Sequence, residues 1–294
     1  MRIAVVGGRG FVGSAIVRRL LSDRGKTFRV AVITRNPEAA KRTLPEGVEV
    51  ISLKEGWKAV GEKLREFNPE AIVNTVGVLY EDRDNTYEVA HVEVVRHLLE
   101  IAKSLNLTRF VQISACGVGR NRFSRYFLTK EEAERLIKTS GVPYTVLRPS
   151  IVMGEGQLLF KQLKRLAPYT PLFLVPATRV QPVHVEDLAE IVFKILTEGV
   201  LRNEICEVGG PKVYSMGEFV RKALNLLGYR RVVLEPPWWF FVPLLPVLTP
   251  LKITTWENLR MVRTENVCPK NCTAKVLKRV KDPFGINVGE NLKG

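Results

Sequence analysis

Tyr126 stands four residues ahead of Lys130 in the segment FSRYFLTKEEAE, Phe123 to Glu134. On a helix that spacing puts both side chains on one face, one turn apart. A phenol ionises near pH ~10 and is a poor proton carrier at neutral pH; a fixed ammonium beside it favours the phenolate and lowers that pKa. The pair could then pass a proton to or from a reacting oxygen. The same spacing also arises on ordinary helix surfaces, so the chemistry requires a cofactor site elsewhere in the chain.

Such a site opens the sequence. MRIAVVGGRGFVGSAIVRRLLS reads as a buried strand from Ile3 to Val6, then Gly7, Gly10 and Gly13 at GxxGxxG spacing, then an apolar run of helical period from Phe11 to Leu21. This arrangement points backbone N–H groups, those of Phe11 and Val12 among them, and a helix N-terminus at a pyrophosphate. The glycines permit a tight turn, close approach of backbone to phosphate, and close packing of helix on strand. A second strand, Val30 to Thr34, ends in Arg35. Folds selective for NAD usually carry Asp or Glu here, to accept from the ribose 2′-hydroxyl. Arg35, with Arg9 inside the glycine loop, suits a 2′-phosphate instead. NADP(H) is therefore favoured, with NAD(H) left open; the plain alternative makes Arg35 a solvated residue after a strand.

The elements that must position these groups repeat along the chain. Further strands are expected at Val48 to Leu53, Ala71 to Gly77 and Arg109 to Ala115, with helices over GWKAVGEKLREF and EVVRHLLEIAKSLN between them. Strands alternating with helices predict an α/β fold, a Rossmann-type doubly wound parallel sheet with its ligand at the carboxyl ends of the strands. Asn74, Gly77 and Ser114 fall at those ends, and the Tyr126 helix follows the fifth strand directly.

The 294 residues suit one large domain or two small ones, and 46% apolar content gives a real core. The formal charge of +15 points to acidic partners, anionic lipid or nucleic acid. The basic residues are dispersed and no helix-turn-helix, zinc-finger or RNA-binding motif accompanies them, so nucleic acid is not expected as a partner. Cys116, Cys206, Cys268 and Cys272 predict no disulfide framework, and the Cys268/Cys272 pair is at best half a metal site; no metal is expected. Met1 leads straight into a strand, which predicts no signal peptide and a cytoplasmic chain, peripheral to a membrane at most.

Residues 1–150 are expected to form the nucleotide-binding domain, with 181–210 returning to it. Residues 151–294 should build a smaller lobe over the substrate cleft. A helix should begin near Glu186, with Asp187 in its acid-favouring first turn and His184 as a structural residue before it. His91 and His97 read as ordinary helix residues. PPWWFFVPLLPVLTPL, Pro236 to Leu251, is too short for the ~20 residues of a spanning helix and holds five prolines. It is expected to line the pocket with Trp238, Trp239, Phe240 and Phe241; the alternative is a surface docking on a membrane or a membrane protein, which the basic charge would assist.

The glycine turn, the strand end NTVG, ISA, Tyr126 with Lys130, and LRPS together resemble an extended or atypical short-chain dehydrogenase/reductase. FVQISACGVGRNRFSRYFLTKEEAERLI, PYTVLRPSIVMGEG and RVQPVHVEDLAEIV resemble the NAD(P)H-binding accessory subunit family of respiratory complex I. The resemblance implies that Gly7, Gly10 and Gly13 form the pyrophosphate turn and that Arg35 discriminates the 2′-phosphate. It implies that Tyr126 donates or accepts a proton while Lys130 binds the nicotinamide ribose, and that Pro149 and Ser150 run beside the nicotinamide carboxamide. Active members carry a Ser or Thr after the fifth strand to polarise the substrate carbonyl; Ser114 or Ala115 holds that position here. The implied activity is reduction of a small apolar carbonyl or quinone-like substrate. The competing expectations are a non-catalytic nucleotide-binding subunit of a membrane complex and a nucleotide-sugar epimerase or dehydratase.

Overall fold

Short runs of Val, Ile and Ala make the strands of the main sheet. They are β1 (Arg2–Val6), β2 (Arg29–Thr34), β3 (Glu49–Ser52), β4 (Ala71–Asn74), β5 (Arg109–Ile113), β6 (Tyr144–Pro149) and β7 (Glu204–Val208). The structure is a computed structural model that describes residues 1–23, 25, 28–250 and 254–285. The seven strands lie in the order 3-2-1-4-5-6-7, each parallel to its neighbours. A parallel sheet is covered on both faces, which is why β4 and β5 are buried at every position.

Alternate residues of β1 serve different cores. Ile3 and Val5 pack with α1 (Phe11–Leu21) and, across it, with Leu188, Ile191 and Ile195. Ala4 and Val6 pack on the other face with Val60 and Leu64 of α3 (Gly56–Phe67), which follows the short α2 (Pro37–Thr43). The same core takes Val95 and Leu98 of α4 (Val94–Ser104) and Ile137 of α5 (Arg125–Thr139). The strand order reverses between β1 and β4, and there the crevice outside the strand ends can receive a ligand. β4 and β5 stop earlier than the sequence suggests, at Asn74 and Ile113. The cause at β4 is local: Asn74 Oδ1 accepts the N–H of Val76 at 3.1 Å and turns the chain out of the sheet.

After β6 the chain builds a separate apolar cluster. Phe160 and Leu163 of α6 (Leu158–Leu166) meet Phe219, Val220 and Leu224 of α8 (Met216–Leu226). Leu172–Leu174 pairs in parallel with Val232–Leu234 beside them. Between these comes α7 (Val185–Glu198), which lies against α1. His184 caps α7, its Nδ1 accepting the N–H of Glu186 at 3.2 Å. Ser215 and Glu218 form a capping box at α8.

Two expectations need correction. The proline-rich stretch does not line a pocket with four aromatics. It forms a 3₁₀ turn over Trp238–Leu244 and the short α9 (Leu245–Leu248). Only Phe241 is buried there, while Trp239 is 61% and Phe240 40% exposed. Four consecutive residues of a 3₁₀ turn, three to the turn, point around its axis and cannot all face inward. Leu251, its last residue, lies outside the described residues. The cysteines also do more than the sequence suggests: Cys206 on β7 is disulfide-bonded to Cys272, 66 positions away. Spacing gave no sign of this, because the pair is made by the chain's return across the sheet edge. That return follows α10 (Trp256–Met261), with Asn266 bridging to Val180, Asn271 to Glu207, and α11 (Thr273–Val276) closing it. No helix among the described residues is long and apolar enough to cross a membrane.

Candidate functional site

The glycine turn has the shape its spacing suggests. Gly7 holds φ at +77°, a conformation that side chains resist, and donates its N–H to Ile33 at 3.1 Å. A Cβ on Gly13 would lie 2.4 Å from the Gly7 carbonyl oxygen and 2.8 Å from Gly8 Cα, so helix and turn touch backbone to backbone. No side chain caps α1. The first N–H groups of α1, those of Phe11, Val12 and Gly13, have no carbonyl one turn back. This end of the helix fits a diphosphate. Arg35 is exposed at the end of β2 and donates to Asn85 Oδ1 in the loop after β4. Arg9 is exposed too, but lines a different space, a cavity of about 1750 Å³ bordered also by Arg18, His184 and Lys281. The two guanidiniums therefore have separate surroundings. That large cavity lies along α1 and α7 and includes neither Tyr126 nor Lys130.

Tyr126 and Lys130 project from α5 into one buried cluster. Lys130 Nζ lies 5.3 Å from the Tyr126 ring centroid. Glu257 of α10 positions the start of α5, its carboxylate accepting the Ser124 hydroxyl at 2.6 Å and the Tyr126 N–H at 3.0 Å. Tyr87, His91 and Phe127 wall the phenol, with ring centroids 5.7, 5.2 and 5.1 Å from it. Burial raises the Tyr126 phenol above its ordinary value, with the Tyr87 hydroxyl adding to the effect. This reverses the lowered value expected from the neighbouring ammonium. Burial acts on Lys130 as well, pulling it down to about 8 against the attraction of Glu134.

His91 is the residue that the sequence reading missed. A π-helical turn over Glu88–Glu93 precedes α4, and His91 is 2% exposed within it. Its Nδ1 lies 2.8 Å from the Thr129 hydroxyl oxygen. That hydroxyl donates back to the carbonyls of Arg125 or Tyr126, at 3.0 and 3.2 Å. Thr129 therefore accepts from His91, the proton sits on Nδ1, and Nε2 carries a lone pair. Burial, with Lys130 adding, holds the ring neutral down to about pH 2. Nε2 is buried and has no hydrogen-bond partner. A Cβ on Gly77, past the end of β4, would stand 3.5 Å from Lys130 Nζ and 3.9 Å from His91 Nε2. A ligand passing over exposed Gly77 thus meets one cation and one bare acceptor. The available signal was position: His91 shares the buried stripe of Val94, Val95 and Leu98.

Other expected site residues have their polar atoms engaged within the protein. Ser114 donates to Glu134 Oε1 at 2.6 Å, and Glu134 is in turn held by Arg148 through contacts of 2.9 and 2.6 Å. Ala115 packs in the same apolar cluster as Tyr126. In this structure the Ser114 hydroxyl, expected to polarise a substrate carbonyl, is engaged with Glu134. Asn74 is fully buried, donating to Gln112 Oε1 at 2.9 Å. Ser150 donates to the Asn266 carbonyl at 2.7 Å, and the Pro149 carbonyl accepts from the Cys116 N–H at 2.8 Å. The Asn74 and Ser150 side chains and the Pro149 carbonyl thus make bonds within the protein at the strand ends.

Comparison with known proteins bears on this geometry. Residues 7–198 match the family described as NAD(P)H-binding. The chain is 27% identical over 237 residues to NADH dehydrogenase (ubiquinone) 1 alpha subcomplex subunit 9, mitochondrial, of Arabidopsis thaliana, covering 76% of this chain and 57% of that one. It is 24% identical to the NADH-ubiquinone oxidoreductase 40 kDa subunit of Neurospora crassa, covering 83% of this chain and 65% of that one. The chain thus spans less than two thirds of these relatives. Among solved structures, the NADPH-dependent quinone oxidoreductase of Escherichia coli complexed with NADPH superposes with a TM-score of 0.75 at 15% identity, covering 99% of this chain and 98% of that one. The Thermus thermophilus UDP-glucose 4-epimerase complex with NAD gives 0.67 at 22% identity, covering 81% and 86%. These likenesses establish the fold.

Proposed function

This chain belongs to the NAD(P)H-binding family, and from that premise we propose that it is an NADP(H)-dependent reductase of a small, apolar, electrophilic carbonyl compound of the quinone type. One observation carries the reading: Tyr126 and Lys130 are buried together on α5, with Lys130 reaching Gly77 at the β4 end of the crevice. The N–H groups at the start of α1 would hold the pyrophosphate, Arg35 the 2′-phosphate, and Lys130 the nicotinamide ribose. His91 Nε2 would accept from a ribose hydroxyl. When bound, the dinucleotide supplies a hydride.

The chain's own residues supply the proton. Tyr126 is a phenol at neutral pH and so has a proton to give, which suits the direction of reduction; burial opposes its release, and the Lys130 ammonium beside it would stabilise the phenolate as it forms. Hydride and Tyr126 proton together complete a two-electron reduction of a carbonyl or quinone. Lys130, at about 8, releases a proton more readily than an exposed lysine and can return one to the phenolate. Ser114 is engaged with Glu134, and neutral His91 presents an acceptor, so neither polarises the substrate. A site with Tyr126 as its donor favours a substrate that is already electrophilic, as quinones are, over an unactivated sugar ketone.

The test is calorimetric titration with NADPH and NADH, followed by turnover of a short-chain quinone. NADPH should bind more tightly than NADH. Tyr126→Phe should keep NADPH affinity within about threefold and lower turnover by ~100-fold or more, the usual range for a lost general acid. Turnover that survives the substitution removes Tyr126 from the role. A second reading, a nucleotide-binding subunit without turnover, draws on the committed Ser114 hydroxyl and on the relatives named as respiratory subunits. NADPH binding with no turnover of quinones or a carbonyl panel would favour it.

A further inference from the structure

Four cysteines from three distant stretches of sequence converge where the C-terminal segment crosses the sheet edge. Cys206 and Cys272 are already joined. Cys116 follows β5, and Cys268 lies 152 positions later, yet their sulfurs are 3.0 Å apart. Both are buried, at 1% and 4% exposure. Around them the backbone is pinned from both sides. The Cys116 N–H donates to Pro149, and the Cys268 N–H donates to Gln181 Oε1 at 3.0 Å. Cys116 Sγ also lies 3.1 Å from the Val267 carbonyl and accepts from Arg120 Nη2 at 3.1 Å. A disulfide spans ~2.05 Å between sulfurs. Bonding Cys116 to Cys268 asks the two sulfurs to close by about 1 Å.

We propose that Cys116 and Cys268 are a site of oxidative cross-linking and form a second disulfide, with a low-molecular-weight disulfide as the oxidant. The loop after β5 is then joined to the segment around Cys268 next to the existing link from β7. The exchange balances as follows. The Cys116 thiolate attacks the small disulfide and expels one thiolate, leaving a mixed disulfide. The Cys268 thiolate then attacks the Cys116 sulfur, closes the new bond and expels the second. Two protein thiols lose two electrons and two protons, and the small disulfide becomes two thiols. Cys116 is the first nucleophile: Arg120, in the same loop after β5, lies beside its sulfur and favours its thiolate without needing the C-terminal segment in place. Since both sulfurs are buried in the folded chain, the exchange occurs as the C-terminal segment docks. The product fixes Pro149 and Ser150 from two sides, because Ser150 is already held by Asn266.

The experiment refolds the fully reduced full-length chain in a buffer of oxidised and reduced glutathione, quenches it in acid, alkylates under denaturing conditions and maps the peptides. The expected map shows Cys116 linked to Cys268 and Cys206 to Cys272. Alkylated Cys116 and Cys268 beside an intact Cys206–Cys272 link overturns the proposal, and so does glutathione retained on Cys116. A second measurement uses Cys116→Ser, Cys268→Ser and the double variant, each refolded the same way. If the bond exists, all three expose residues 264–277 to proteolysis to the same extent, more than ten-fold faster than the parent. Unequal or additive effects of the two single substitutions would overturn it.

Discussion

Ser114 and Lys130 show how burial, rather than residue type, decides a side chain's part. Ser114 hydrogen bonds to a carboxylate that is itself paired with Arg148, so its hydroxyl stabilises β5 and α5. Ser114→Ala should leave quinone turnover within about threefold and cost ~1.5–3 kcal/mol of stability, the range for a hydrogen bond to a charged group. Steady-state kinetics and urea unfolding on the same preparation check both. A large loss of turnover with intact NADPH binding would restore Ser114 to the chemistry. Lys130 falls from 10.5 in its ordinary state to about 8 in the fold. The unfolded chain therefore binds more protons between those values, and the Lys130 penalty is relieved as pH rises through that window. Lys130→Met should raise stability at pH 7 by on the order of 3 kcal/mol. The gain should shrink between pH 8 and 10.5 and vanish above. Melting curves of both proteins across pH 6 to ~11 would show it, and a constant offset would contradict it. The Tyr126–Lys130 pair was legible because helix spacing alone brings it together. The state of Tyr126 was not, since its raised value comes from burial by the surrounding wall, with Tyr87 adding to it. His91 was illegible for a related reason: its role depends on Thr129, 38 positions away, choosing its tautomer.

At the level of elements, strand ends and helix starts do the positioning. The glycine turn, the parallel doubly wound sheet and α5 after β5 follow from local pattern, because a buried parallel strand must be apolar throughout and a crossover helix must be amphipathic. Where β4 and β5 stop was less legible. Asn74 turns the chain at Val76, and a single side-chain hydrogen bond of that kind leaves no periodic trace. The capping of α5 by Glu257 was equally hidden, since α10 lies more than a hundred positions away. The turn itself tolerates little. Gly13→Ala places a methyl 2.4 Å from the Gly7 carbonyl and 2.8 Å from Gly8 Cα, where only backbone could give way. The substitution should move α1 off the turn, abolish measurable NADPH binding and destabilise the fold by ~1–3 kcal/mol, as overpacking does. Calorimetry and thermal melting test this together. Retained NADPH affinity in a folded Gly13→Ala protein would separate the turn from the dinucleotide.

Over the whole molecule, the C-terminal return ties distant parts of the chain together. Glu207 on β7 takes the N–H of Lys270 at 2.8 Å, and its carbonyl takes the N–H of Cys272 at 2.9 Å. Gln181, before α7, donates its N–H to Asn266 and reaches Gly210 with its amide. The Cys206–Cys272 bond closes this return. Its 66-position loop carries a loop-closure entropy in the unfolded chain worth about 4 kcal/mol. Replacing both cysteines by alanine should lower unfolding stability by about that amount and steepen the dependence on urea, because a longer unfolded chain exposes more surface. The return crosses the carboxyl end of β7, four strands along the sheet from β1 and the nucleotide turn. NADPH affinity should therefore fall less than threefold at temperatures where the variant stays folded. A parallel collapse of affinity and stability would mean that the return holds the crevice open for the ligand, and would shift attention from α5 to Asn266 and Ser150 as the groups that set it.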